Sequence, residues 1–138
     1  MRRSNYQSGM RGVYLVAAEL TRRGFIASPT LRNAPGADLL VTDSECNKTW
    51  SVQVKTNTDR LPYWLVGEKA TGAKSPSHVY VFVTLDGKQG PEYIPVRSEF
   101  EAKNVCKEQT ANSTFYSFDK RLLKSTYNGW EIFGAEAN

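Results

Sequence analysis

The sequence predicts an α/β protein in which a central mixed β-sheet is flanked by an N-terminal helix and by C-terminal helices. Three observations carry this expectation. Residues 9–24 hold an apolar stripe at helical spacing, residues 37–56 read as the two arms of an alternating β-hairpin, and residues 79–85 form a nearly continuous apolar run with three valines. Such a run is what a strand covered on both faces requires. At 138 residues the chain is expected to form one domain, 1–138, with a core that removes about two-thirds of its unfolded surface from water.

The first helix begins near Gly9. Met10, Val13, Tyr14, Ala17 and Leu20 follow the spacing of one buried stripe. Gly24 ends it after Arg22 and Arg23, whose charge suits the C-terminal end of the helix dipole. A strand is expected over 25–30, with Pro29 placing it at an edge. Asn33, Ala34, Pro35 and Gly36 have turn chemistry. The hairpin follows, with 43–49 as its loop; residues 60–62 break the chain and 63–66 form a short strand. Residues 67–77, poor in apolar side chains and carrying Lys69, Gly72, Lys74 and Pro76, are expected to be a mobile loop able to fold over a ligand. After the covered strand, Asp86 and Gly87 turn the chain and 92–96 return it.

Ser98 and Glu101 have the spacing of a capping box at the start of a helix running to about Gln109, which turns Phe100, Val105 and Cys106 inward. Residues 111–117 are expected to be a polar connection. Asp119 caps a short helix through Leu122 and Leu123, and Trp130, Ile132 and Phe133 close the chain as an apolar segment with Trp130 as its packing anchor.

Composition excludes several classes. Apolar residues at 40% and charged residues at 23% are ordinary for a globular protein, and no run approaches the roughly 18 to 20 apolar residues of a membrane-spanning helix. No secretory pattern follows Met1, so a cytoplasmic location is expected. Cys46 and Cys106 lack metal-ligand or framework spacing and are expected to be reduced thiols, Cys46 in the hairpin loop and Cys106 a small buried hydrophobe. The charge is unevenly placed. Residues 1–24 hold Arg2, Arg3, Arg11, Arg22 and Arg23 against Glu19, which accounts for the whole net +4, while the other 13 basic and 13 acidic side chains cancel. An arginine-rich segment suits phosphate contact; a solvated helix face is the plainer reading. Arg11, Arg22 and Arg23, with Lys69 and Lys74 of the loop, are therefore the candidate nucleic-acid contacts. Lys120, Arg121 and Lys124 would extend such a surface or form a solvated face of their own.

The hairpin carries the chemistry. A strand period of two puts Asp38, Leu40 and Thr42 on one face of the first arm, and Ser51, Gln53 and Lys55 on one face of the second. Gln53 and Lys55 then stand roughly 6.6 Å apart, with Asp38 beside them. A carboxylate and an amide carbonyl are the hard oxygen donors that magnesium takes, and a neighbouring lysine suits a developing anion. That set fits phosphodiester hydrolysis, in which a metal lowers the pKa of a bound water. On spacing alone, a solvated hairpin with polar residues on its outer face explains the same pattern. His78, the sole histidine, precedes the covered strand and reads as a strand-end residue.

The order of a helix ending in Arg23-Gly24-Phe25, then Pro35-Gly36-Ala37-Asp38, then Gln53-Val54-Lys55 resembles the PD-(D/E)xK nuclease superfamily, the restriction-endonuclease-like proteins that include archaeal Holliday-junction resolvases. The resemblance covers about residues 9–85 and is closest to small bacterial members of unassigned function. It implies a magnesium- or manganese-dependent nuclease acting on DNA, with Asp38 and Gln53 as metal ligands and Asp38, Gln53 and Lys55 as the catalytic set. The sequence departs from the superfamily pattern twice. Many relatives carry a glutamate in the first helix as a further ligand, where this chain has Val13 after Gly12, and Gln53 stands where an acid is usual. Glu19 is the helix's one acid, about 120° round from Val13, and is the alternative third ligand. A nucleic-acid-binding or protein-interaction module that has lost turnover on the same fold is the competing expectation. A homodimer would suit two-fold cleavage of a duplex.

Overall fold

The structure, a computed structural model, describes residues 5–31, 36–72 and 75–134. The expected turn residues Asn33, Ala34 and Pro35, the arginines Arg2 and Arg3, and Lys74 lie outside the described residues.

Helix α1 (Asn5–Arg22) buries Gly12, Val13, Val16 and Leu20. This face is rotated from the expected stripe, since Tyr14 is exposed. The cause is close packing at Gly12, where a Cβ would run into Thr56 Oγ1 of the strand beneath; Tyr14, two residues or about 200° further round, is thereby turned to solvent. The helix ends as expected. Gly24 takes φ 95°, and Phe25 N donates to Leu20 O at 3.0 Å, the paired closure that a left-handed residue allows after a helix.

The strands are β1 (Ile26–Pro29), β2 (Leu39–Thr42), β3 (Thr49–Asn57), β4 (Tyr63–Val66), β5 (His78–Gly87), β6 (Gly90–Arg97), β7 (Cys106–Gln109) and β8 (Thr114–Asp119). Five of them form a mixed sheet in the order β1-β2-β3-β5-β6. Only β3 and β5 run parallel within it, and the rest pair antiparallel. The α/β architecture with a central mixed sheet and an N-terminal helix is thus the one the sequence predicts. β5 is buried from His78 to Leu85, as its apolar run requires.

The C-terminal third differs in detail. Helix α2 (Ser98–Asn104) stops short of the expected end, and 106–119 form the antiparallel hairpin β7–β8, which joins β4 in a three-stranded sheet ordered β4-β8-β7. Cys106, expected inward on a helix, is exposed on β7. Tertiary packing overrides the local pattern here: alternation along β8 drives Phe118 into the interior, where it stacks on Phe82 at 4.8 Å between ring centres. Nor does the capping box form. Arg97 is the N-cap without a side-chain hydrogen bond, and both Ser98 and Glu101 are fully buried. Residues 68–71 of the expected loop form a 3-10 turn anchored by buried Ala70. Asp119 does cap the turn Lys120–Leu122, accepting from Arg121 N at 2.8 Å.

Two cores lie on opposite faces of the main sheet. On one, α1 packs Val13, Val16 and Leu20 over Leu39, Val41, Trp50, Val52, Val54, Val79, Val81 and Val83, closed by Phe25 and Phe133. Trp130 anchors this end, with the Arg23 guanidinium 4.2 Å from its ring centre. On the other face, Trp64, Val66, Ala70 and Phe118 cover Tyr80, Phe82 and Val96. The second core draws its main-sheet buried residues from β5 and β6 only. No described residue of the β2–β3 hairpin belongs to this second core, and the hairpin's side chains on that face range from half-buried to exposed.

Candidate functional site

This face carries Asp38, Leu40 and Thr42 from the first arm and Thr49, Ser51, Gln53 and Lys55 from the second. Their neighbours Leu39, Val41, Trp50, Val52 and Val54 point into the α1 core, so alternation puts the six strand residues on the opposite side, while Asp38, just before β2, is placed by its own hydrogen bonds. Asp38 is fixed at the point where the first arm leaves β3. Its backbone N–H donates to Val52 O at 2.8 Å, and its carboxylate Oδ2 accepts from Val54 N at 2.8 Å. Val54 N–H faces the edge that β2 vacates just before Leu39, so the carboxylate takes the place of the missing ladder partner. Thr30, just past β1, holds the approach from the other side: its hydroxyl donates to Ala37 O at 2.7 Å and its N–H to Asp38 O at 2.9 Å.

Val54 is the residue between Gln53 and Lys55, so this single hydrogen bond brings the Asp38 carboxylate to both. The β2–β3 ladder ends at the Leu39–Val52 pair, where Asp38 N–H also turns to Val52 O, so Asp38 reaches Gln53 and Lys55 through the Val54 amide and not as a ladder partner. Gln53 and Lys55 are half-buried, and among the described residues neither side chain has a hydrogen bond or ion pair, nor does the second Asp38 oxygen. The polar ends of Gln53 and Lys55 are not among the buried unpartnered atoms of the described residues, so both are open to a ligand from solvent.

Next along the face, Ser51 Oγ lies 2.8 Å from His78 Nδ1, its partner across the β3–β5 ladder. His78 is buried and meets Tyr80 edge-on at 5.6 Å. Burial, and secondarily the Glu101 charge, push the Tyr80 hydroxyl up to about 12, so it stays neutral beside Gln53, its ladder partner.

The first helix adds no carboxylate to this face. Val13 is 6% exposed in the α1 core. Glu19 lies on α1, across the sheet from Asp38, and is held by Arg22 at 2.5 Å and Arg23 at 3.0 Å; these hydrogen bonds, Arg22 first, keep its carboxyl below the usual glutamate range. Of the candidate nucleic-acid contacts, Arg11, Arg22 and Lys69 are exposed, whereas Arg23, at 16% side-chain exposure, is tied to Glu19 and Trp130. Sequence reasoning did not reach the Val54 amide, Thr30 or the Ser51–His78 pair. The polar residue at every second position from Thr49 to Lys55 was the available signal, but an outer face reads the same way.

Among the described residues no group of three or more His, Cys, Asp or Glu side chains is placed to hold a metal ion. What the face offers is one carboxylate oxygen and one amide oxygen. This is a small donor set, yet magnesium usually takes only one or two carboxylates and completes its shell with water and substrate phosphate. The residues present fit a divalent ion on those terms.

The same fold occurs in Archaeoglobus fulgidus Hjc, a Holliday junction resolvase from an archaeal hyperthermophile, with a TM-score of 0.52 and 15% sequence identity over 83% of this chain and 85% of that one. No protein-family profile matches the sequence. No curated protein matches it by sequence either. No helix among the described residues is long and apolar enough to cross a membrane.

Proposed function

We propose that this chain, whose restriction-endonuclease-like fold it shares with a Holliday junction resolvase, is a nuclease that hydrolyses phosphodiester bonds in DNA with the help of magnesium or manganese. The observation that carries the reading is the Asp38 carboxylate bonded to Val54 N–H, which brings it to the side chains of Gln53 and Lys55 on either side of Val54. Asp38 and Gln53 would hold the metal. When bound, it would neutralise phosphate charge and make a coordinated water a stronger nucleophile.

The protein's own residues supply the rest. The Val54 N–H fixes one Asp38 oxygen and leaves the other for the ligand. Lys55 places a cation two residues along the same face, where it stabilises the negative charge that builds on the phosphate oxygens as the P–O bond to the leaving group breaks. Its half-burial strengthens that interaction relative to water. Arg11, Arg22 and Lys69 would contact phosphates outside the site. The reading places the protein with DNA in the cytoplasm, as a monomer or as a homodimer that cuts both strands of a duplex.

A second reading has its own support. Buried Val13, with Glu19 turned to Arg22 and Arg23, leaves Asp38 as the face's one carboxylate among the described residues, which suits a DNA-binding module without turnover. Incubation of the protein with linear and four-way-branched DNA in magnesium and in manganese separates the two. Metal-dependent cleavage that disappears in Lys55→Ala supports the enzyme; salt-sensitive binding without cleavage in either metal supports the module.

A further inference from the structure

The hairpin face extends beyond the three candidate residues. At the hairpin end lies a groove of about 420 Å³ lined by Leu40, Thr42, Thr49, Ser51 and Ser77 among others. Thr42, Thr49, Ser51 and Ser77 bring hydroxyls to a lining whose larger part, with Leu40, Val41 and Trp50, is apolar, and among the described residues it has no charged side chain. The register sets Leu40 opposite Ser51 and Thr42 opposite Thr49, so groove and candidate site are two ends of one surface. Along β3 the side chains that reach it are Thr49, Ser51, Gln53 and Lys55, successive steps of roughly 6.6 Å. A row of neutral hydrogen-bonding groups thus leads to the carboxylate, the amide and the lysine.

Two details show that the groove floor is built rather than incidental. Ser51 Oγ is held by buried His78, which removes the rotational freedom of a surface serine. Ser77, on the opposite wall, is tied to β3 through its carbonyl, which accepts from Ser51 N at 3.0 Å. The wall therefore keeps its distance from the row. Leu40, 55% exposed, gives the groove one apolar side.

We propose that this groove is a nucleic-acid subsite in which the Thr49 and Ser51 hydroxyls donate to the backbone phosphate next to the scissile one, with His78 positioning Ser51 in the tautomer whose Nδ1–H donates to Ser51 Oγ and leaves the serine O–H for the phosphate. The inference rests on the nuclease or DNA-binding reading of Asp38, Gln53 and Lys55 and adds the path of the strand to it. Side-chain hydroxyls are regular phosphate partners in protein–DNA contacts, and because a hydroxyl carries no charge its contribution makes a specific forecast. Salt dependence of binding counts the phosphates neutralised by Lys and Arg, so contacts from neutral hydroxyls strengthen binding without steepening it.

The test measures affinity of the full chain for a single-stranded oligonucleotide over a range of salt, in calcium to hold any cleavage in check. Wild type is compared with Ser51→Ala, Thr49→Val and Ser51→Thr. Ser51→Ala and Thr49→Val are expected to weaken binding by about tenfold each, the value of a hydrogen bond to a charged group, with the slope against salt unchanged, and Ser51→Thr to keep wild-type affinity. Replacing single phosphates by neutral methylphosphonates identifies the partner: at one position the substitution abolishes the difference between wild type and Ser51→Ala. Equal affinities for wild type, Ser51→Ala and Thr49→Val overturn the subsite while leaving Asp38, Gln53 and Lys55 untouched. Free inorganic phosphate competing as well as the oligonucleotide would assign the groove to a small anion and overturn the strand path. Absence of any nucleic-acid binding by wild type overturns both readings together.

Discussion

Replacing Asp38 by alanine and by asparagine separates its structural duty from its chemical one. In Asp38→Ala the Val54 N–H loses the acceptor 2.8 Å away, at a site only partly open to water. A hydrogen bond to a charged group contributes about 1.5–3 kcal/mol. Unfolding entropy is roughly 2.1 cal/mol/K per residue, or about 0.29 kcal/mol/K for 138 residues, so the expected fall in Tm is about 5–10 °C. Asp38→Asn keeps an oxygen that accepts from Val54 but removes the charge; its Tm should fall by about 3 °C, the difference of roughly 1 kcal/mol between charged and neutral acceptors. Thermal unfolding followed by circular dichroism measures both, and a cleavage assay in magnesium and manganese measures activity. Asp38→Asn is expected to be folded and inactive, with cleavage reduced at least a hundredfold. The reasoning is refuted if Asp38→Ala melts with wild type, which would mean the carboxylate does not complete the strand edge, or if Asp38→Asn cleaves at the wild-type rate, which would remove the metal role.

Other predictions test the frame around the site. Gly12→Ala places a methyl against Thr56 Oγ1, so the usual gain of about 1 kcal/mol from alanine in a helix should be outweighed by overpacking of roughly 1–3 kcal/mol; a lower Tm restored by the added Thr56→Ala checks it, and a higher Tm for Gly12→Ala would show that helix and strand are further apart. Arg23→Ala should lower Tm by about 2–7 °C through loss of its stacking on Trp130, while exposed Arg22→Ala leaves Tm within about 2 °C and flattens the salt dependence of DNA binding by about one unit. The Glu19 carboxyl is held below its ordinary 4.5, so its contribution is complete above that value and fades as pH falls through the lowered one. The stability difference between wild type and Glu19→Gln, measured by urea unfolding, should therefore be constant near neutrality and shrink only below pH 4.5; a difference that persists unchanged at more acid pH would assign it to packing.

Most of the main sheet was legible in the order of residues. Periodicity belongs to the chain itself: 3.6 in α1, two in the β2–β3 hairpin, and none in β5, whose burial on both faces leaves no polar side to write. End signals such as Gly24 are equally local, whereas the turn expected at Asp86-Gly87 falls at Lys88–Gln89, because β5 continues through Gly87, which pairs with Gly90. The C-terminal third was misread because its segments are short and amphiphilic, and whether 106–109 continues a helix or joins a sheet is decided by what Phe118 finds to stack on. Phe82 lies 36 residues away, and no local pattern refers to it.

By itself the sequence determined the α/β class, the hairpin, and that Gln53 and Lys55 share one face of its second arm. Only the tertiary structure decided that the second core gathers β5 and β6 and takes in no described residue of the hairpin. The structure also decided that Glu19 belongs to Arg22 and Arg23 and that Asp38 reaches Gln53 and Lys55 through the Val54 amide. The physical reason is the same in each case. Strand alternation says which side of the chain a residue takes, whereas burial, pairing and the edge at which one strand leaves another depend on elements brought together from distant parts of the chain.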